Sequence, residues 1–374
     1  MALKVLFLYN HSWAKEIADF RLGIVPAHRL FGFANVEALG HHPLICPKPG
    51  LFQALYSKPF LWRCFQALFA VRHQATTDCI VATAEASALP VLLLKRLGLL
   101  KTPLVMINIA LLHPKQSRGL RKWLWRLCLP SAEAIVSYTV AQVDWLTAEF
   151  GLERARLFFV PFGVDTDFFK PEESVESPGS SFCASVGTND GKDFVTLLKA
   201  LPAGNRLVIV TDDYNAKIIR EHLNPYSQVE IRHDLPIDQL RTLYRQSSVQ
   251  VIPLLDTKFS SGQTVMLENM ALGRTVIVTK TASTDDYVED GVTAVVVAPN
   301  DPDALRQVLV EVLEDPQRRQ QIGARAAEKV RTCFSSEIFS RNLMAVIQQV
   351  ITPRTAFAED SESTANGLCR KRQA

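Results

Sequence analysis

The sequence predicts two α/β domains, each built on a parallel sheet with helices on both faces. Short apolar runs alternate with longer amphipathic stretches, and this alternation occurs twice along the 374 residues. Residues 171–181, rich in Ser, Glu, Pro and Gly, separate the two series and have the composition of a linker. We therefore expect a domain over residues 1–165, a second over 166–350 and a flexible tail over 351–374, with the two Rossmann-like sheets facing a central cleft.

The first series predicts six strands and the helices between them. The strands cover residues 4–9, 42–47, 79–83, 103–109, 134–138 and 157–161. A helix is expected over 26–39, two short helices within 51–74, a basic helix over 115–129, and two further helices that end at residues 97 and 150. Gly40, Gly98 and Gly151 follow three of these helices, where a left-handed residue ends the helix.

The second series has the same pattern. Its predicted strands cover residues 182–186, 206–211, 229–232, 249–253, 275–279 and 294–297. Its helices are expected over 236–246, 264–272, 301–314, 316–330 and 335–350. Asp301 and Asp315 stand where a side chain can cap free amide groups, and each precedes a proline suited to the first helical turn.

Charge and cysteine content restrict the class of protein. The net charge is only +3, but residues 1–165 hold 18 bases and 10 acids, which indicates a surface that meets an anion. Seven cysteines stand singly, which argues against a zinc site or a disulfide framework and favours a reducing compartment. No apolar run is long enough for a signal peptide or a spanning helix, so we expect a cytoplasmic protein, peripheral at most to the inner membrane face.

Several common motifs are missing. The first predicted strand is followed by no glycine-rich dinucleotide fingerprint, and the chain has no P-loop, which argues against a nicotinamide dehydrogenase and a P-loop NTPase. Asp165 and Asp167 form an apparent DxD metal motif, but Asp165 is better placed to cap a turn. The histidines show no metal-binding spacing. We predict no metal ion and no cofactor.

A loop and helix in the second domain suggest a binding site. Ser260, Ser261, Gly262, Gln263 and Thr264 lead directly into the predicted helix 264–272. Amide groups at a helix N-terminus bind anions, and a glycine lets the backbone approach a ligand closely.

Glu268 lies one turn further into that helix, where its carboxylate could accept hydrogen bonds from vicinal hydroxyls. The alternative is a well-capped helix with a surface glutamate.

Five ordered segments carry a resemblance to a known family. They are VPFGVDTDFFKP at 160–171; LENMALG at 267–273 with TVIVT at 275–279; DG at 290–291 with VVVAPND at 295–301; LEDPQRR at 313–319; and FSSE at 334–337. Together they resemble glycosyltransferase family 4, the retaining enzymes of the GT-B fold, over roughly residues 157–345. The resemblance implies transfer of a sugar from a nucleoside diphosphate sugar to a hydroxyl of a glycan or lipid-linked acceptor.

The resemblance also implies a donor site. Glu268 matches the family glutamate that contacts the ribose, whereas Ser260 stands where the family has a second glutamate for the donor sugar. The family's pyrophosphate loop corresponds to residues 187–192, beginning at Gly187. There Thr188 replaces an arginine, and Lys192 keeps the phosphate role; the alternative for Lys192 is a solvated loop lysine. Residues 260–264 would add hydroxyl and amide groups.

Acceptor groups are expected after the first and fourth predicted strands. Asn10 and His11 follow strand 4–9, Asn108 ends strand 103–109, and His113 lies a few residues beyond it. We assign His113 or His11 the role of catalytic base or acceptor contact, with Asn10 and Asn108 as acceptor ligands. The alternative for His113 is an ordinary loop histidine.

The basic segment 115–126 has two interpretations. On a helical wheel Trp125 shares one face with the basic residues Arg118, Arg121, Lys122 and Arg126. The other face, with Leu120, Trp123, Leu124 and Leu127, is expected to pack on the core. Tryptophan among arginines fits an anionic membrane or acceptor surface, and the alternative is a solvated basic face.

The sequence thus predicts a metal-independent hexosyltransferase. Two rivals stay open: a sugar-nucleotide-binding protein without transferase activity, since Thr188 and Ser260 replace family residues, and a sugar-nucleotide epimerase, which uses the same two-domain fold. Nothing in the sequence indicates a nucleic-acid partner.

Overall fold

A computed structural model describes residues 2–48, 58–113, 116, 118–171, 182–224, 228–257 and 259–352. Within it the chain forms two compact units: Met1–Pro161 together with the segment that starts at Ser336, and Phe162–Ser335. The predicted linker from 172 to 181 and the predicted tail from 353 onward lie outside the described residues.

The first unit contains a six-stranded parallel sheet in the order β2-β1-β3-β4-β5-β6. The strands are β1 (Lys4–Leu8), β2 (His42–Ile45), β3 (Cys79–Ala82), β4 (Leu104–Asn108), β5 (Ala134–Ser137) and β6 (Leu157–Phe159). Strands β3, β4 and β5 are buried along their whole length, as expected for apolar runs covered by helices on both faces.

Six helices connect these strands: α1 (Ala14–Arg21), α2 (Phe33–Ala38), α3 (Pro59–Arg72), α4 (Glu85–Arg96), α5 (Gly119–Cys128) and α6 (Val140–Phe150). Helices α3 to α6 contribute Ala67, Val91, Trp125 and Val143 to one apolar core with the sheet. This shared core places the four helices on the same face.

One helix prediction in this unit is wrong. Residues 26–39 do not form one helix, because Phe31 and Gly32 have φ of 50° and 94° and separate a short 3-10 turn, Ala27–Leu30, from α2. Of the two short helices expected within 51–74, the structure describes α3, and residues 51–57 lie outside the described residues. Pro59 occupies the first turn of α3, where a missing amide hydrogen costs nothing. Helix α1 was not predicted.

The second unit contains another six-stranded parallel sheet, in the order β12-β11-β10-β7-β8-β9. Its strands are β7 (Phe182–Val186), β8 (Arg206–Val210), β9 (Gln228–Arg232), β10 (Val249–Ile252), β11 (Val276–Thr279) and β12 (Val295–Val297). Two parallel α/β sheets were predicted, and this part of the fold class is confirmed.

The helices of this unit are α7 (Phe194–Ala200), α8 (Asp213–His222), α9 (Ile237–Gln246), α10 (Gln263–Ala271), α11 (Pro302–Glu314) and α12 (Pro316–Cys333). The side chains of Asp301 and Asp315 accept hydrogen bonds from the amides of Ala304 and Arg318. Both predicted caps are therefore confirmed.

The last helix, α13 (Ser336–Ile351), belongs to the first unit, so the predicted boundary of the second domain at residue 350 is wrong. It packs on α2 and β5. Ser340 Oγ donates a hydrogen bond to Asn35 Oδ1, and a Cβ on Gly32 would lie 2.9 Å from the Leu343 side chain. Packing across such a long sequence separation leaves no local signal in the chain.

Helix α5 buries other aromatic and leucine side chains than those predicted, although Arg121 and Arg126 are exposed and Leu127 packs on the core as expected. It starts at Gly119 rather than at 115, and Lys115 lies outside the described residues. Trp125 is buried in the core with α3, α4 and the sheet, whereas Leu120 and Trp123 are exposed. The segment is apolar on two sides, and the side with Trp125 and Cys128 is the one that packs in the core shared with α4.

Candidate functional site

The strand orders locate one crevice in each sheet. In the second unit β7 and β10 are neighbours. The strands that follow β7 are added on one side of this pair, and the strands that follow β10 are added on the other side. In the first unit the same reversal lies between β1 and β3. Loops at the carboxyl ends of such strand pairs diverge, and open α/β sheets bind ligands between them.

The loop after β7 holds a buried lysine against a glycine. A Cβ on Gly187 would lie 2.0 Å from Cε of Lys192, so only glycine leaves room for this side chain. The same loop is fastened to the segment after β10, because the amide of Asp193 donates to the carbonyl of Pro253 and the amide of Leu255 donates to that of Gly191. Lys192 is thereby fixed at the switch point of the sheet.

The ammonium of Lys192 has no counterion in the part of the chain that the structure describes: no hydrogen bond or ion pair reaches it. Burial lowers the pKa of Lys192 to about 8, so the group is still mainly cationic at neutral pH. A buried cation without a partner is costly, and an anionic ligand would supply the missing charge.

The loop after β10 meets the loop after β7 through polar contacts. Ser261 is buried and its Oγ donates to Asn189 Oδ1 over 3.2 Å. Gly191 approaches so closely that a Cβ there would lie 3.0 Å from Ser261 Oγ. Gly262, with φ of 87°, then turns the chain into α10. Asn189 was missed by sequence reasoning, since an asparagine in a loop is not distinctive.

The remaining predicted donor residues differ in exposure. Gln263 is buried and its amide donates to the carbonyl of Ser283 over 2.9 Å, so it supports the loop. Thr188 and Thr264 are exposed and Ser260 is half-buried. The start of α10 therefore presents hydroxyl and backbone amide groups beside the Lys192 loop.

Glu268 is buried in the second turn of α10. Tyr244 of α9, itself fully buried, donates its hydroxyl to Glu268 Oε2 over 3.1 Å. This hydrogen bond fixes the direction of the carboxylate. Sequence reasoning missed Tyr244, because on an amphipathic helix it looks like any core aromatic.

The loop after β1 carries Asn10 and His11 at the switch point of the first sheet. The ring of Trp13 stacks on Tyr9 at 4.8 Å and on His11 at 5.5 Å between centroids, and His11 Nε2 lies 4.0 Å from Glu16 Oε1. Three buried atoms have no hydrogen-bond partner among the described residues: Asn10 Oδ1, Trp13 Nε1 and Glu16 Oε2. Trp13 and Glu16 were not singled out in the sequence.

The loop after β4 is held by a buried carboxyl group. Glu85, at the start of α4, accepts hydrogen bonds of 2.6 Å from the amides of both Ile109 and Ala110, and burial raises its pKa. Asn108 is also buried: its amide donates to Ser137 Oγ, and its Oδ1 accepts from the amide of Leu111.

These contacts shape the path of the chain to His113, which is half-buried. Both polar atoms of the predicted acceptor ligand Asn108 are used within the first unit.

The apparent DxD motif is a turn, as predicted. Asp165 Oδ1 accepts hydrogen bonds from the amides of Asp167 and Phe168. No group of three metal-binding side chains occurs among the described residues. Over the same residues, none of the helices has the length and apolar character needed to cross a membrane.

The fold and the crevice define a class of protein. Residues 182–315 match the family model described as Glycosyl transferases group 1. The match lies within the second unit and confirms the resemblance seen in the sequence.

Solved structures with the same fold cover nearly the whole chain. Sucrose-phosphate synthase from Thermosynechococcus elongatus superimposes with a TM-score of 0.72 at 16% identity, covering 94% of this chain and 99% of that one. HepE of Anabaena, crystallised with UDP-glucose, superimposes with a TM-score of 0.67 at 16% identity, covering 93% and 100%. The expected GT-B fold is confirmed.

Curated relatives are glycosyltransferases. The chain is 27% identical over 225 residues to D-inositol 3-phosphate glycosyltransferase from Xylanimonas cellulosilytica, covering 53% of each chain. It is 25% identical over 227 residues to MMP alpha-(1->4)-mannosyltransferase from Mycolicibacterium hassiacum, covering 58% of this chain and 54% of that one. The chain therefore spans about half the length of the curated relatives it matches.

Proposed function

We propose that this chain is a retaining glycosyltransferase that moves a sugar from a nucleoside diphosphate sugar to a hydroxyl group of a glycan or a lipid-linked acceptor. The observation that carries the proposal is the buried Lys192 ammonium, which lies against Gly187 at the switch point of a group 1 glycosyltransferase domain. HepE, which shares the fold, was crystallised with UDP-glucose. UDP-glucose is therefore the first donor to test.

The donor residues divide the nucleotide sugar between them. Lys192 and the amide groups at the start of α10 would neutralise the pyrophosphate as it leaves, without a metal ion or cofactor. Glu268, directed by Tyr244, would accept hydrogen bonds from the ribose hydroxyls. Ser260, half-buried at the loop, would face the donor sugar in place of a carboxylate.

Retention of configuration needs no protein nucleophile in this scheme. The acceptor hydroxyl attacks from the face that the diphosphate leaves, so catalysis comes from positioning and from stabilising the leaving group. His11 or His113 would hold the acceptor hydroxyl, with Asn10 as a ligand. The unpartnered Oδ1 of Asn10 supports this role, because a buried acceptor atom favours a hydroxyl donor.

The experiment measures release of UDP from UDP-glucose with and without a pool of sugar and lipid-linked acceptors, in the presence of a chelator. Acceptor-dependent release is expected, and Lys192→Met should abolish most of it while leaving the fold intact.

Three results would contradict the proposal. Tight UDP binding without release, under every acceptor, would identify a binding protein. Conversion of the sugar without any acceptor would identify an epimerase. Activity that the chelator abolishes would contradict the metal-free site.

A further inference from the structure

Three consecutive helices of the first unit expose apolar side chains to solvent. Phe60 and Leu68 on α3, Leu97 directly after α4, and Leu120 and Trp123 on α5 are each between 57% and 73% exposed. Their helices lie side by side on one face of the sheet, since α4 contacts both α3 and α5. We call this outer surface of α3, α4 and α5 the docking face.

The exposed residues form stripes rather than scattered points. Phe60 and Leu68 are eight positions apart, and Leu120 and Trp123 are three apart, so each pair lies on one side of its helix. Leu99, just beyond α4, is also more than half exposed. Single exposed apolar residues are ordinary, but stripes on adjacent helices indicate a surface that contacts something.

The same helices carry an excess of positive charge. Their basic side chains are Arg63, Arg72, Lys95, Arg96, Arg121, Lys122 and Arg126, with Arg118 at the start of α5. The one acidic residue in the three helices is Glu85, which is buried. Glu149 of α6 pairs with Lys122 and Arg126, and Glu133 pairs with Lys95, whose side chain is almost fully buried. The arginines of the three helices make the docking face basic as well as apolar.

We propose that the docking face binds the surface of an anionic lipid bilayer. A bilayer interface offers phosphate charge and hydrocarbon within a few ångströms of each other, which is the combination that basic helices with exposed leucine and tryptophan complement. Trp123 would lie at the headgroup level, where its ring is half solvated. This surface is independent of the donor crevice, so the inference does not rest on the proposed transfer reaction.

The experiment is co-sedimentation of the full chain with vesicles of phosphatidylcholine alone or with 40% phosphatidylglycerol added (roughly the charge density of an anionic membrane). Binding to the anionic vesicles at low salt is expected, with little binding to neutral vesicles and weaker binding at high salt. Replacing one base on each helix, Arg72→Gln, Arg96→Gln and Arg118→Gln together, should weaken partitioning about 100-fold. The double variant Leu120→Ser with Trp123→Ser should weaken it at least about tenfold.

Matched control variants lie on the second unit. Lys217→Gln, Arg220→Gln and Arg325→Gln together remove the same charge from exposed positions, and Tyr214→Ser removes an exposed aromatic ring. These controls should bind vesicles like the wild type, and all variants should keep the wild-type melting temperature and UDP affinity.

Tryptophan emission should shift to the blue when vesicles are added, and Trp123→Phe should remove most of that shift. The proposal is overturned if the wild type stays in the supernatant with anionic vesicles at low salt, or if the control triple loses binding equally. Concentration-dependent dimerisation that the Leu120→Ser and Trp123→Ser changes abolish, with no vesicle binding, would instead assign the face to a second copy of the chain.

Discussion

Lys192 keeps a charge in a place where water cannot reach it freely. Its pKa is about 8 in the folded chain and 10.5 in the unfolded one, so the folded protein binds fewer protons between these values. The stability that this group contributes is therefore present above about pH 10.5 and lost as pH falls through about 8. At neutral pH the buried ammonium destabilises the empty protein, and a diphosphate ligand would relieve that cost.

The first prediction concerns the pH dependence of UDP binding. Only the protonated lysine attracts the diphosphate, so the association constant should fall by roughly an order of magnitude between pH 7.5 and pH 9. In Lys192→Met the affinity should be weaker and nearly constant over this range. Calorimetric titration at several pH values measures both. A wild-type profile as flat as that of the variant would remove Lys192 from the phosphate site.

The second prediction concerns Glu268 and Tyr244. Glu268→Ala should lower UDP affinity about tenfold or more, because charge-assisted hydrogen bonds contribute roughly 1.5–3 kcal/mol. Tyr244→Phe should have a smaller effect, since it removes a hydrogen bond that directs the carboxylate and keeps the carboxylate itself.

Deoxy-UDP, which lacks a ribose hydroxyl, provides the control for this pair. It should bind wild type less tightly than UDP does, and Glu268→Ala should show almost no difference between the two nucleotides. An undiminished preference for UDP in the variant would place Glu268 away from the ribose.

At the scale of elements, helix α12 meets the turn that follows α10, and each contributes a glycine to the contact. A Cβ on Gly323 would lie 2.0 Å from the carbonyl oxygen of Gly273, and backbone cannot move aside as a flexible side chain can. The contact brings α12 against α10, the helix that carries Glu268 and follows the loop at residues 260–262. Close helix packing thus supports the site from behind.

The third prediction follows from that contact. Gly323→Ala should destabilise the second unit by about 1–3 kcal/mol or more, as overpacking does in a filled core. Gln321→Ala, two positions away and exposed, should change stability by less than about 0.5 kcal/mol. Urea unfolding of both variants gives the comparison. Equal stability of the two would show that α12 can shift away from Gly273.

Elements whose burial is complete were predictable from the sequence. Each predicted strand lies within two residues of the observed one. For β3, β4 and β10 the reason is that a strand buried on both faces must be a short continuous apolar run. Helix α5 was not predictable in the same way. With Leu120 and Trp123 on one side and Trp125 on another, only the position of α4 decides which ring is buried.

The parts of the candidate site that a ligand would contact were predictable from the sequence. The contacts that depend on packing between distant residues were not. The Lys192 loop and the start of α10 were expected together, and they are in contact through Ser261 and Asn189. Asn108 was expected to face an acceptor, yet its partner Ser137 lies 29 residues away in sequence and on the next strand. Partners of this kind depend on strand order, which no local pattern reveals.

At the scale of the whole molecule, the first unit is assembled from two separate stretches of chain. Helix α13 completes it by covering α2 and β5, and Leu343 lies fully buried against Gly32. The second unit is continuous and has its own core. Stability of the first unit thus depends on residues near the far end of the described chain.

The fourth prediction tests this dependence. Leu343→Ala should destabilise the first unit by about 2–5 kcal/mol, the usual cost of deleting a buried leucine side chain. UDP binding by the second unit should be unaffected at temperatures where the first unit remains folded. Gln348→Ala, exposed on the same helix, is the control. If both units unfold in one transition, and Leu343→Ala leaves that transition unchanged, the two units do not unfold separately.

The discontinuity of the first unit also sets an order of events on the ribosome. Residues up to Pro161 emerge first, but the helix that covers them is synthesised only after all of the second unit. The second unit can close its core while the first still exposes the apolar surface around Gly32 and Tyr138 that α13 will cover. Domains generally fold as they emerge, and here the part made first is the last to be finished. A nascent chain stalled near residue 335 is consequently a natural substrate for chaperones that bind exposed apolar surface.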